Sequence, residues 1–83
     1  MKYELTNHAK KALTEREISV DWLERTLNAP ELTLSDPDDI EVERHFRKIP
    51  EFGGRVLRVA VNTTVEPVRI VSVFFDRTMK GKL

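Results

Sequence analysis

The chain has 83 residues, no cysteine, and 14 basic against 14 acidic side chains, so its formal charge is zero. That length allows one domain, residues 1–83, with a small two-layer core. The missing cysteines exclude disulfides and thiolate metal sites, and no run approaches the roughly 20 apolar residues of a membrane span.

At the N-terminus, "YEL" (residues 3–5) reads as a short edge strand or as the lead-in to a helix. Thr6 or Asn7 is the expected N-cap. Ala9, Ala12 and Leu13 recur at helical spacing, and the helix is expected to end near Arg16 or Glu17. Ser19 caps a second helix with Asp21 in its first turn, where a negative charge suits the dipole. Val20, Leu23 and Leu27 form its apolar stripe, and Asn28 and Pro30 stop it. Together these are an αα-hairpin.

After Pro30 the period changes to two. "ELTLS" puts Leu32 and Leu34 on one side, and "DPDD" (residues 36–39) is a turn. "EVERHFRKI" (41–49) sets Val42, Arg44 and Phe46 against Glu43, His45 and Arg47. "PEFGG" turns through Gly53 and Gly54, which supply positive φ. "RVLRVAVN" (55–62) sets Leu57, Val59 and Val61 against Val56, Arg58 and Ala60. "TTVEP" turns again, and "VRIVSVFFD" (68–76), apolar on both faces, reads as a central strand. "RTMKGKL" reads as a polar tail. The expected fold is α+β: an N-terminal αα-hairpin on one face of a four-stranded antiparallel β-sheet.

The zero net charge hides a division. Residues 1–43 hold five bases and eleven acids, net −6, and residues 44–83 hold nine bases and three acids, net +6. The two halves attract each other on folding, or the second half carries an anion-binding face. His8 and His45 lack ligand-like spacing, and the acids of residues 36–43 lack the glycine and final Glu of an EF-hand, so no metal site and no cofactor is expected. No GxSxG nucleophile elbow occurs.

The arginines remain. If the helices cover the Leu57 side, Arg58 projects from the bare face, beside Arg44 or Arg47. Arg69 lies on the next strand and Arg77 directly follows it. Guanidinium groups gathered there would make a phosphate site, because their forks match phosphate oxygens. The structural alternative is ordinary cross-strand pairing with acids. His8 borders the first helix's apolar stripe, as a packed residue bonded to backbone or as a proton-exchanging group. Arg16 ties the inter-helix turn to the sheet or contacts substrate. Trp22, off its helix's stripe, caps the core edge or marks a partner-binding patch.

His8-Ala9, Arg16, Ile18-Ser19, Leu27 and Pro30 resemble the opening of a family of small bacterial domains of unknown function, which reads S-x-HA, R-G-I-S, then a helix ending before Pro. This chain departs at Glu17, where that pattern has glycine. "RVLRVAVN" and "RIVSVFFD" are similar to its closing strands. More distantly the layout resembles the RelE/ParE superfamily and BrnT-like ribonuclease toxins. That resemblance implies a RelE-like fold and metal-independent RNA cleavage by the ribose 2′-OH. His45 or His8 would shuttle protons, and Arg58, Arg44 and Arg77 would stabilise charge. Arg16, Arg47, Arg69 and Lys80 would add contacts to RNA. The implied partners are RNA and an antitoxin-like protein, with no membrane, in the cytoplasm. The alternative is a non-catalytic protein- or nucleic-acid-binding module.

Overall fold

The computed structural model describes residues 2–83. Its elements are β1 (Tyr3–Leu5), α1 (Asn7–Glu15), α2 (Val20–Asn28), β2 (Leu32–Ser35), β3 (Val42–Ile49), β4 (Arg55–Asn62) and β5 (Val68–Phe75), with 3₁₀ turns at Pro50–Phe52 and Arg77–Met79. The fold is α+β, but the sheet is five-stranded and mixed, in the order β1-β5-β4-β3-β2, and not four-stranded and antiparallel as the sequence suggests. The correction comes from Tyr3–Leu5, which pairs parallel with Val68–Ile70. Three residues are too few to show a period, and a parallel partner is reached only through a long crossover, here everything from α1 to β4.

Both helices start on side-chain caps. Thr6 Oγ1 accepts from Ala9 N–H at 3.1 Å and donates to the Val71 carbonyl at 3.2 Å, which also ties α1 to β5. Ser19 Oγ accepts from Asp21 N–H at 3.1 Å. Between them the chain closes α1 by a Schellman pattern. Ile18 N–H donates to the Leu13 carbonyl at 3.0 Å and Glu17 N–H to that of Thr14 at 3.4 Å. Glu17 takes φ +53° to do so. The turn delivers Ile18, 4% exposed, onto Leu13 in the core.

The helices lie on one side of the sheet, α1 over β5 and β1 and α2 over β4 and β3. Leu57, Val59, Val61, Ile70 and Val73 meet Ala9, Leu13, Leu23 and Leu27 there. Burying a side chain such as Leu57 or Leu23 contributes about 1.5–3 kcal/mol. Ile70 and Val73 share that face although three residues apart, because β5 carries a bulge: Ala60 pairs with Ser72, and Val61 with Ile70, leaving Val71 extra. The register puts Glu43, His45 and Arg47 on the same covered side as Val61, Val59 and Leu57. The opposite side carries Arg44, Phe46, Arg58 and Phe74, the last three in register across β3, β4 and β5. No helix among the described residues is long and apolar enough to cross a membrane.

Candidate functional site

The sheet side without helices is not a bare cationic surface. Val42, Phe46, Val56 and Ala60 are buried on it, and its two central arginines are tied down. Arg44 Nε donates to Asp36 Oδ2 at 3.1 Å, with the two side chains 24% and 17% exposed. Asp36 is held below its ordinary pKa by the Asp38 backbone N–H and then by Arg44. Arg58 Nη1 donates to Asp76 Oδ2 at 3.2 Å, and its guanidinium lies 4.5 Å above the Phe74 ring. Such pairs neutralise the charge a phosphate would seek.

Four cations without an ion-pair partner among the described residues gather at one end of the sheet. A cleft of about 510 Å³ opens where β5 ends and β4 begins, with Arg16, Arg55, Arg77 and Lys80 on its walls and Asp76 as its one acid. All four cations are exposed, and none has an ion-pair partner among the described residues. Phe52, Val56 and Phe75 complete the lining, so one wall is aromatic.

Local chemistry builds each wall. Arg16 is the C-cap of α1, where a cation suits the helix dipole, and the turn through Glu17 leaves its guanidinium 5.9 Å from the Phe74 ring centre. Arg77 and Lys80 stand on the 3₁₀ turn after β5. Asp76 starts that turn: it accepts from Thr78 N–H at 3.0 Å and from the Thr78 hydroxyl while binding Arg58. The Thr78 hydroxyl first, then the Thr78 N–H and Arg58, hold its carboxyl below the ordinary value despite burial, so it stays ionised. Arg55 follows the Gly53–Gly54 turn and lies 4.6 Å over the Phe52 ring. Phe52 itself packs on Trp22 and Phe75, with centroids 5.2 and 4.9 Å apart. The Pro50–Phe52 turn is anchored to α2 by Arg25, whose Nη1 and Nη2 donate to both Glu51 oxygens at 2.9 and 2.8 Å.

Of the residues singled out in the sequence, Arg16, Arg77 and Lys80 come together in this cleft, and Arg58 stands behind it through Asp76. His8 is exposed in the first turn of α1, not packed against backbone, and lines a shallow groove of about 150 Å³ with Lys11, Ala12, Glu15 and Arg16. Arg16 therefore belongs to both depressions. The others lie elsewhere. Arg44 is paired with Asp36 on the open side. His45 is on the helix-covered side, 9% exposed, with Nε2 3.2 Å from Glu43 Oε1. Arg47 donates to the Ala29 carbonyl at 2.7 Å. Arg69 pairs in register with Glu4 and Asn62, at the other end of the sheet. Arg55, Phe52, Phe75 and Asp76 escaped the sequence reading. The D-x-T spacing of Asp76 and Thr78, a cap signature, was the available signal for the last.

Among the described residues no group of three or more His, Asp or Glu side chains converges to hold a metal ion. The arrangement can bind anions: four guanidinium or ammonium groups share a concavity with an aromatic wall. In comparisons with known proteins, no curated protein and no solved structure matches the chain. The family model of a domain of unknown function, DUF4258, matches residues 5–75, from the end of β1 to the end of β5. The match covers both helices and all of β2 to β5, and the chain belongs to the DUF4258 family.

Proposed function

We propose that the chain binds RNA by seating backbone phosphates in the cationic cleft, and that it cuts the strand there in the manner of the RelE- and BrnT-like ribonucleases its layout resembles. The observation that carries this reading is the convergence of Arg16, Arg55, Arg77 and Lys80, exposed and without an ion-pair partner among the described residues, on one cleft, while the two central arginines of the open sheet face, Arg44 and Arg58, are paired with Asp36 and Asp76. In the cleavage step the ribose 2′-oxygen attacks the adjacent phosphorus as its proton passes to a base. The bond from phosphorus to the 5′-oxygen breaks, and that oxygen takes up a proton, leaving a 2′,3′-cyclic phosphate and a 5′-hydroxyl. Arg16 and Arg77 would stabilise the charge that grows on the phosphate oxygens. His8, which lines the neighbouring groove that shares Arg16, would carry the proton. An antitoxin-like partner would cover the cleft with carboxylates.

A second reading, RNA binding without cleavage, is favoured by one observation: neither His8 nor His45 lines the cleft itself. Inducible expression, with growth and RNA integrity followed together, separates the two. Under the first reading the wild type arrests growth and fragments RNA, His8→Ala keeps binding but loses cleavage, and Arg77→Ala loses both. Intact RNA with binding retained supports the second. A purified wild-type chain that binds no RNA ends both.

A further inference from the structure

The aromatic wall of the cleft has no role in holding phosphate. Phe52 is 37% exposed, although its ring packs on Trp22 and Phe75. The Arg55 guanidinium lies 4.6 Å over that ring, and the Arg55 side is exposed to solvent. Unpaired bases stack on the planes of arginine guanidinium groups and on phenylalanine rings, and Arg55 and Phe52 bring one of each together here. Arg16, Arg77 and Lys80 stand on the remaining walls.

Resting on the RNA reading above, we infer that the cleft holds one unpaired nucleotide, its base stacked on the Arg55–Phe52 platform and its phosphate on Arg16, Arg77 and Lys80. A concavity of about 510 Å³ has room for one nucleotide. A base locked in a duplex has both faces covered by its neighbours and cannot reach the platform. The site therefore selects single strands, by stacking and without hydrogen-bond readout of base identity. Trp22 and the Arg25–Glu51 fork hold Phe52 in place from beneath, as positioning residues.

The test measures binding of the purified full chain to a short single-stranded RNA, to the duplex of the same sequence, and to an abasic strand of the same length, which keeps the phosphates and removes the bases. The expected result is a preference for the natural single strand over the abasic one on the order of tenfold. Arg55→Lys keeps the charge and loses the plane, so the preference for the natural strand over the abasic one collapses towards equal binding. Phe52→Leu, with folding checked by circular dichroism, does the same. Equal binding of natural and abasic strands, or an unchanged preference in Arg55→Lys, overturns the base platform. If Arg77→Ala still weakens every ligand, the phosphate reading stands without it. A wild type that binds none of the three defeats both.

Discussion

Arg58 and Asp76 meet between β4 and the end of β5, Nη1 to Oδ2 at 3.2 Å, with only 21% and 9% of the two side chains exposed. The Asp76 N–H also donates to the Val56 carbonyl at 2.9 Å, so backbone and side chain fasten the start of the C-terminal turn to β4. This contact both neutralises the open-face arginine and fixes the turn that carries Arg77 and Lys80.

Replacing Asp76 with Ala leaves Arg58 without its carboxylate and the turn without its cap. We expect a loss of about 2 kcal/mol in urea unfolding. The pH dependence has a definite sign. Asp76 has a lowered folded pKa, chiefly from the Thr78 hydroxyl and then from Arg58. Its contribution is therefore complete above the ordinary aspartate value of about 3.9 and is lost as pH falls through the lower folded value. The stability gap between wild type and Asp76→Ala should be full at neutral pH and close in acid. A gap that persists in strong acid would show that the carboxylate charge is not its source.

Glu17 sits at φ +53°, in the left-handed region that suits glycine. Glu17→Gly removes the strain of a side chain there, against the entropy glycine returns to the unfolded chain. The balance should stabilise by about 0.5–1 kcal/mol, which raises the melting temperature by roughly 2–8 °C in a domain this size. Calorimetry checks it, and an unchanged or lower melting temperature would count against the helix-closing role given to this turn.

Glu51 is held by the Arg25 fork, which, with the Glu51 backbone N–H and Trp22, pulls its carboxyl from 4.5 to about 2. The pair favours the ionised form, so the tether between α2 and the Pro50–Phe52 turn persists in acid until pH falls to about 2. A carbon-detected NMR titration should place the Glu51 midpoint near that value in the wild type, and Arg25→Gln should return it towards the ordinary one. A wild-type midpoint near 4 would mean that the fork is open in solution.

Much of the fold was readable because it rests on local rules. The Ser19 cap, the Leu23 and Leu27 positions of a stripe whose third member, Val20, is exposed, and the alternation of Leu57, Val59 and Val61 each mark an element, while of Thr6 and Asn7 it is Thr6 that caps α1. The parallel pairing of Tyr3–Leu5 was not, since its partner lies more than sixty residues away and no periodicity reports such a contact. The candidate site was legible by residue type but not by place. Alternation put Arg58 on the face opposite Leu57 and left Arg44 or Arg47 as its neighbour, of which the structure selects Arg44, and it carries no information on which arginines are neutralised by acids brought in from Asp36 and Asp76. Nor does it say which end of the sheet the helices leave uncovered. That is why Arg55, at a strand end beyond a glycine turn, passed unnoticed, and why "RTMKGKL" read as a tail when its first residues form a wall of the cleft.

The most direct measurement is the salt dependence of single-stranded RNA binding by the full chain and two arginine variants. Each phosphate neutralised on a single strand contributes about −0.7 to the slope of log affinity against log salt. The cleft account predicts that Arg77→Ala binds more weakly with a slope shallower by about 0.7, while Arg69→Ala, at the opposite end of the sheet, matches the wild type. A loss in Arg69→Ala equal to that in Arg77→Ala, or a wild-type slope near zero, would contradict it.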